Sequence, residues 1–86
     1  MHGLLGSKSN WRSLSKSLHA KTGRKVVAVD ARNHGDSPHD ENLSYNHMAE
    51  DVRSLLTNLG IEQSVLLGHS MGGRAMMLSA ILNVIF

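Results

Sequence analysis

Hydrophobic positions along the 86-residue chain follow two different spacings. Two stretches, starting near Trp11 and near Met48, carry apolar residues three or four positions apart, which is typical of amphipathic helices. A third helical run is predicted from Arg74 to about Phe86. Two short runs, 26–30 and 64–67, are instead almost continuously apolar and rich in β-branched residues, which is typical of strands buried on both faces. This alternation of helices and strands predicts an α/β fold with a parallel sheet and right-handed crossovers.

Capping residues mark the expected ends of two helices. Asn10 is predicted to cap the first helix and Gly23 to end it. Ser44 is predicted to cap the second helix, and Gly60 to end it. The triplet Asn42-Leu43-Ser44 also matches a glycosylation acceptor, but the capping role of Ser44 is the favoured interpretation.

Composition excludes several classes of function. The chain has no cysteine, so thiol catalysis and thiolate metal sites are excluded. With 9 basic and 7 acidic residues, the net charge of +2 gives no reason to expect a nucleic-acid partner. No metal-ligand spacing and no phosphate-binding loop occurs, so neither a metal nor a cofactor is expected.

Two segments bear on location. No run reaches the roughly 18 apolar residues that a transmembrane helix needs. Residues 1–29 lack Asp and Glu and are rich in Lys, Arg and Ser, as in a mitochondrial transit peptide. An amphipathic helix with a basic solvated face explains the same composition, so the stretch is not taken as a clear targeting peptide.

The most informative motif is Gly68-His69-Ser70-Met71-Gly72, which stands between a predicted strand and a predicted helix. A serine on such a sharp turn is exposed for nucleophilic attack, and the turn needs small residues two positions to either side. Gly68 and Gly72 occupy those positions. The helix that follows directs its N–H groups and positive dipole end at the serine. The Met71 N–H is therefore a natural donor to a developing oxyanion.

Two upstream motifs accompany this turn. His2-Gly3-Leu4-Leu5-Gly6 is a glycine-flanked loop before the first helix. The string from Asp30 to Ser37, Asp-Ala-Arg-Asn-His-Gly-Asp-Ser, lies about midway between the other two motifs. Its polar residues are expected to brace a loop near the site rather than to act in catalysis.

The three motifs, in this order and spacing, resemble the α/β-hydrolase superfamily, and in particular its α/β-hydrolase domain-containing protein 11 branch. The resemblance covers roughly residues 2–78. It implies a serine esterase or lipase with Ser70 as nucleophile and the Leu4 N–H as second oxyanion donor. It also implies small-molecule or lipid ester substrates such as diacylglycerol, a mitochondrial location and an association with 2-oxo-acid dehydrogenase complexes.

The rest of the catalytic machinery does not follow Ser70. The superfamily places its acid and histidine after the serine, yet residues 71–86 contain no Asp, Glu or His. His69 is interpreted as a structural neighbour of the serine rather than a general base. The alternative is a substitute base among three upstream histidines: His2, His34 and His39.

The chain is therefore interpreted as the N-terminal part, residues 1–86, of a single α/β-hydrolase domain, with a divergent tail at 79–86. Without its acid and base, this chain is expected to show little or no ester turnover. The alternative is a non-catalytic product that binds a partner or regulates the full-length enzyme. A membrane-surface helix at the C-terminus is less favoured, because Arg74 is the one basic residue in the segment 74–86.

Overall fold

The computed structural model describes the backbone of residues 1–85 and side chains through Ile81. A 3-10 turn at Lys8–Trp11 leads into α1, Arg12–Thr22. Two further α-helices follow: α2 is Tyr45–Asn58 and α3 is Met71–Ile85. The predicted third helix thus begins three residues earlier than Arg74, inside the glycine-rich turn. Its predicted last residue, Phe86, lies outside the described part of the chain.

The two predicted strands are absent from residues 1–85, and that prediction is wrong for this structure. The runs 26–30 and 64–67 form no hydrogen-bonded ladder with each other. Most of their apolar side chains are exposed, since Val27 is 46% exposed and Val65 76% exposed, whereas Val29 and Leu66 are partly buried. A strand needs neighbours to pair its N–H and C=O groups and to cover its apolar faces. The two runs therefore have the apolar composition of strands, but among residues 1–85 they lack the neighbouring strands that would form a sheet.

One contact retains the geometry of a parallel sheet. The Met1 ammonium group donates to the Leu67 carbonyl, and the His69 N–H donates to the Met1 carbonyl at 3.0 Å. This is the slanted pattern that joins two parallel strands, with Met1 opposite Gly68. It covers a single residue pair, which is too short for a strand, but it aligns the start of the chain with the segment leading into Ser70.

Both helix stops predicted from glycine are confirmed. Gly23 follows α1 with a left-handed φ of +68°, and its N–H donates to the His19 carbonyl at 2.9 Å. Gly60 follows α2 with φ +70°. Next to it, the Ile61 N–H donates to the Leu56 carbonyl at 2.9 Å. This bond, from an N–H to the carbonyl five residues earlier, is characteristic of the Schellman motif, which favours glycine because glycine has no Cβ.

One of the two predicted N-caps is correct. Ser44 caps α2, and its hydroxyl accepts from the His47 N–H at 3.1 Å. Asn10 does not cap α1; its side-chain oxygen accepts from the Ser7 N–H at 2.8 Å, closing the preceding 3-10 turn. The sequence pattern does not indicate this 3-10 turn. Asn10 therefore lies within the turn and not at the N-cap of α1, which is Trp11.

The core lies where α2 packs on α3. Met48 and Val52, one turn apart on α2, are buried, as are Met71 and Ala75, one turn apart on α3. Of these residues, Met48, Met71 and Ala75 form one cluster with Ala31, which lies in the loop after the first apolar run. By contrast α1 contributes no buried residue. The first residue of α3 is thus held in the core, and it fixes the turn directly before it.

The predicted tail at 79–86 continues α3 as far as Ile85. Within the described residues, no helix is long and apolar enough to cross a membrane.

Candidate active site

Ser70 occupies the apex of the turn that enters α3. It is exposed, and its φ of +53° places a non-glycine residue in the left-handed region. That conformation costs on the order of 1–2 kcal/mol for an L-residue, so the surroundings must impose it. The chain reverses here between the apolar run 64–67 and the first residue of α3.

The glycines on either side leave no room for a side chain. A Cβ on Gly72 would lie 2.0 Å from the Met1 carbonyl oxygen and 2.6 Å from that of His2. A Cβ on Gly68 would lie 2.4 Å from the Gly72 carbonyl oxygen. These distances are far inside van der Waals contact. The two glycines therefore allow the turn to close on itself and on the start of the chain.

Backbone N–H groups on two neighbouring segments remain unused. The Met71 N–H, at the first position of α3, and the Leu4 N–H make no hydrogen bond within residues 1–85. The loop 2–6 packs against the turn, because the Gly3 Cβ position lies 3.0 Å from Nδ1 of His69. The structure therefore brings together the loop and the turn that the sequence predicted to supply the two oxyanion donors.

His34 connects the loop 2–6 to the loop after the first apolar run. Its side chain is nearly buried, and Nε2 accepts from the Leu5 N–H at 3.2 Å. Its Nδ1 lies 2.8 Å from the Arg32 carbonyl. A nitrogen that accepts from an N–H carries no proton, so the proton lies on Nδ1, which donates to Arg32. The ring thus fixes the backbone next to Leu4.

His2 makes the reciprocal connection. It is 1% exposed, and its Nε2 accepts from the Ala31 N–H at 3.0 Å while Nδ1 donates to the Gly3 carbonyl at 2.8 Å. The His2 and His34 rings stand 5.1 Å apart at a 53° tilt. All four ring nitrogens are therefore occupied by backbone groups, and neither histidine is free to take a proton from Ser70.

Asp30 organises the middle motif. Its carboxylate accepts from the Lys8 N–H at 2.8 Å and from the Asp36 N–H at 3.0 Å, and the Lys8 ammonium group lies 3.2 Å away. These two N–H donors and then the lysine charge lower the pKa of Asp30 to about 2. A Cβ on Gly35, where φ is +51°, would lie 2.4 Å from both carboxylate oxygens.

Arg32 ties the same loop to α2. Its guanidinium group makes two parallel bonds to the Asp51 carboxylate, at 2.7 and 2.8 Å, and a third to the Asn42 carbonyl at 2.7 Å. Such bidentate pairs fix geometry as well as charge. The structure thus agrees with the expectation that the Asp30–Ser37 string braces a loop beside the site.

Within residues 1–85, no base forms a hydrogen bond with the Ser70 hydroxyl. The ring of adjacent His69 packs against Gly3 instead. His39, the remaining alternative from the sequence, is exposed. The assignment of Ser70, Leu4 and Met71 to catalytic roles therefore stays a prediction from the motifs and the backbone geometry.

An open cleft that the sequence did not reveal adjoins this turn. It has a volume of about 510 Å³ and is lined by residues 2–6, Asn10, Trp11, Leu14 and His69. A second cleft, of about 370 Å³, lies between the middle motif and α2 and contains no residue of the turn 68–72. Neither cleft follows from sequence spacing, because each forms between segments that are distant along the chain.

Comparison with known families agrees with this geometry. The family model described as alpha/beta hydrolase fold matches residues 1–83. The chain therefore belongs to the α/β-hydrolase family.

Particular relatives narrow the resemblance. The mouse sn-1-specific diacylglycerol lipase ABHD11 is 54% identical over 81 residues, which is 94% of this chain and 26% of that protein. A probable alcohol acetyltransferase of Saccharomyces cerevisiae is 41% identical, over 96% of this chain and 25% of that protein. The solved structure of a marine microorganism esterase superposes with a TM-score of 0.92 at 39% identity, covering 98% of this chain and 31% of that one. The chain thus spans about a quarter of the length of the curated relatives that it matches.

Proposed function

We propose that Ser70 is the nucleophile position of a serine hydrolase that acts on carboxylic esters, including lipid esters of the diacylglycerol type. One observation carries the proposal: an exposed serine is held at φ +53° directly before α3, by glycines that admit no Cβ. That is the arrangement in which a hydroxyl is presented to a substrate carbonyl. The substrate class is supported by relatives named as a diacylglycerol lipase and an esterase.

In the proposed mechanism the Leu4 and Met71 N–H groups stabilise the oxyanion. Both N–H groups lack a partner within residues 1–85, and they belong to segments that pack against each other. Attack of the hydroxyl on the ester carbonyl places negative charge on its oxygen, and preorganised donors lower the barrier without reorganising. Met71 is well suited to this role because its side chain is anchored in the core, 7% exposed.

The 86-residue chain by itself is proposed to be a poor catalyst. No carboxylate or imidazole within the described residues bonds to the Ser70 hydroxyl, so its proton has no acceptor. In serine hydrolases the loss of triad members lowers turnover by about 10⁴- to 10⁶-fold. Oxyanion donors and binding alone retain about 10³-fold acceleration over water.

The test is labelling by a fluorophosphonate probe together with turnover of nitrophenyl butyrate. Slow Ser70-dependent labelling and weak turnover are expected in the wild-type chain, both lost in Ser70→Ala. Ser9→Ala, at another exposed serine, is the matched control and should behave as wild type. Labelling that persists in Ser70→Ala would refute the nucleophile assignment. Rapid Ser70-dependent turnover would instead refute the poor catalysis proposed for this chain.

A second candidate function is a non-catalytic chain that binds or regulates a family-length hydrolase. It is favoured by exposed apolar side chains on the two runs that form no sheet, with Val65 76% and Leu67 48% exposed. The chain, when added to a family-length relative, should then change the ester turnover of that enzyme. It should also comigrate with the enzyme on gel filtration. Unchanged turnover without comigration would exclude this function.

A mitochondrial location and an association with 2-oxo-acid dehydrogenase complexes belong to the proposal through the family resemblance alone. Fractionation of cells that express the tagged chain tests the first, and purification of a dehydrogenase complex from the same cells tests the second. Recovery of the chain outside mitochondria would contradict the proposed location. Its absence from the purified complex would contradict the proposed association.

A further inference from the structure

We infer that the neutral ring of His34 selects the orientation of the peptide between Leu4 and Leu5, and that protonation of the ring flips this peptide. His34 is then a positioning residue for the loop 2–6, because it acts through Leu5 and not on a substrate. The consequence for catalysis rests on the proposed function, in which Leu4 is an oxyanion donor. The flip itself does not depend on that function and is measurable without a substrate.

The loop 2–6 contains a turn whose third residue has an unusual conformation. The Gly6 N–H donates to the Gly3 carbonyl at 3.0 Å, so Leu4 and Leu5 are the two central residues of this turn. Leu5 has a left-handed φ of +62°. A positive φ at this position is typical of a type II turn, where glycine or asparagine is usual. Leucine is strained there, and a side chain that is 91% exposed gains little from burial.

A type I turn is an unstrained alternative for the same residues. Both turn types allow the bond from Gly6 to Gly3, but they differ by a half-rotation of the central peptide. That peptide consists of the Leu4 carbonyl and the Leu5 N–H. In a type I turn Leu5 has a negative φ, and the Leu4 carbonyl points where the Leu5 N–H now points. The turn therefore has two discrete orientations of one peptide.

His34 explains why the strained orientation is adopted. Its Nε2 accepts from the Leu5 N–H at 3.2 Å, and its Nδ1 donates to the Arg32 carbonyl at 2.8 Å. The residue is only 8% exposed, and both bonds together fix the place of Nε2. In a type I turn this unprotonated nitrogen would face the Leu4 carbonyl, and two acceptors would then oppose each other. Neutral His34 therefore favours the type II orientation.

Protonation of His34 reverses this preference. An imidazolium ion donates from both nitrogens, so it can no longer accept from the Leu5 N–H. The flipped peptide instead presents the Leu4 carbonyl to the new Nε2–H donor. The flip also removes the left-handed φ at Leu5. Imidazole is the side chain that ordinarily changes charge between about pH 5 and pH 8, so mild acid is expected to drive the change.

No carboxylate within residues 1–85 hydrogen-bonds to the His34 ring. The charged side chains of the neighbouring segments are paired with each other: Asp30 and Asp36 with Lys8, and Arg32 with Asp51. Three titratable groups belong to the start of the chain and the turn 68–72. The His2 ring stands 5.1 Å from His34, the Met1 ammonium group donates to a carbonyl, and His69 packs against Gly3. Protonation is therefore expected to act through the hydrogen bond to Leu5.

The test follows the Leu5 amide and the His34 ring by NMR in the 86-residue protein, from about pH 8 to about pH 5. At the alkaline end we expect the ring proton on Nδ1. The Leu5 amide should exchange with solvent at least about tenfold more slowly than the Leu4 amide, which has no acceptor within residues 1–85. This difference should disappear with the same midpoint as the protonation of His34. Titration of His39, which is exposed, should leave the Leu5 amide unchanged.

Two variants separate selection by the ring from general stability. His34→Gln supplies a side-chain oxygen that accepts but does not titrate, so the Leu5 amide should stay protected at the acid end. Leu5→Gly removes the cost of the positive φ and thereby favours the type II orientation. Protonation of His34 should then require a pH lower by at least about half a unit. Leu43→Gly, at another exposed leucine, is the matched control and should leave the His34 titration unchanged.

The possible results distinguish the flip from its proposed consequence. Leu5 protection that persists in acid in the wild type, or that acid removes in His34→Gln, would overturn the inference. A ring proton on Nε2 at the alkaline end would also overturn it. If circular dichroism shows that a variant does not fold, the tautomer and titration of the wild type decide.

The fluorophosphonate probe then tests the link to catalysis. Preorganised donors stabilise an oxyanion only while they keep their positions. Labelling of Ser70 should therefore fall more steeply with acid in the wild type than in His34→Gln. Equal slopes together with a measured flip would refute the positioning role and leave the flip intact. Labelling that does not depend on Ser70 would refute the proposed hydrolase function alone.

Discussion

The glycine turn 68–72 and the apolar runs 26–30 and 64–67 differ in how closely the rest of the chain packs against them. The turn is packed so tightly that a Cβ on Gly72 would lie 2.0 Å from the Met1 carbonyl oxygen. The apolar runs, which have the composition of buried strands, leave Val65 76% exposed. The glycine turn is therefore better defined by contacts than the two apolar runs are.

The difference shows which neighbours a glycine turn and an apolar strand each need in order to form. A left-handed turn is determined by a few residues and their immediate neighbours, as at Ser70. A strand buried on both faces instead requires partners along both edges and cover above and below. In this chain the motifs that carry the proposed chemistry depend on the first kind of interaction, so they persist without a regular sheet.

The largest expected effect comes from the turn itself. Gly72→Ala places a Cβ against two backbone carbonyls that cannot rotate away, and overpacking of this kind costs about 3 kcal/mol. Gly73→Ala is the matched control, because its Cβ would lie 3.4 Å from the nearest atom, an ordinary contact. Within a helix, alanine at that position should stabilise the fold by about 0.5–1 kcal/mol. Urea unfolding followed by circular dichroism measures both, and equal stabilities would show that the turn is loosely packed.

A smaller effect is expected at the histidine that supports the loop 2–6. His34→Ala leaves the Leu5 N–H and the Arg32 carbonyl without their partner, at a cost of about 1–3 kcal/mol. His39→Ala, at an exposed histidine five positions on, should change the free energy of unfolding by less than about 0.5 kcal/mol. If the two variants unfold alike, the His34 bridge does not hold the loop.

Acid should weaken the middle motif through Asp30. Its pKa is lowered from 3.8 to about 2 by the Lys8 and Asp36 N–H groups. A depressed folded-state pKa stabilises the fold above the unfolded value, and that stabilisation is lost as the pH falls from 3.8 towards 2. Thermal midpoints of wild type should therefore decline across this interval more steeply than those of Asp30→Asn. Glu62→Gln, an exposed control, should keep the wild-type slope; parallel slopes in all three would contradict the Asp30 assignment.

Short-range features of the fold followed from the sequence, while features that depend on distant neighbours did not. Ser44 as a cap and Gly23 and Gly60 as stops were predictable because each acts on residues within one helical turn. The glycine requirement around Ser70 followed from the turn motif for the same reason. The hydrogen bond from the Leu5 N–H to His34 joins residues 29 positions apart, so no local sequence pattern predicts it.

The strands and the cleft depend on residues that are distant along the chain, so sequence patterns did not predict them correctly. An apolar run indicates that burial is favourable, but not which residues will cover it, and most apolar side chains of 26–30 and 64–67 stay exposed among the described residues. The cleft beside Trp11 depends on where α1 lies relative to the loop 2–6, which spacing does not determine. The motifs predict the fold class, because they identify the family to which the chain belongs. The periodicity of apolar residues contributes less to that prediction.

The smallest expected effect, that of Val65→Thr, tests whether the apolar runs contribute to stability. Threonine keeps the branched shape and replaces a methyl group by a hydroxyl, so its cost depends on burial. At Val65, 76% exposed, the free energy of unfolding should change by less than about 0.5 kcal/mol. The same replacement at Val52, a residue of α2 that is only 6% exposed, should cost about 1–3 kcal/mol. Urea titrations of the two variants measure this contrast directly. Equal losses would mean that Val65 is covered in solution, by a second copy or by a sheet that pairs with the run, and the contrast between turn and strands would no longer hold.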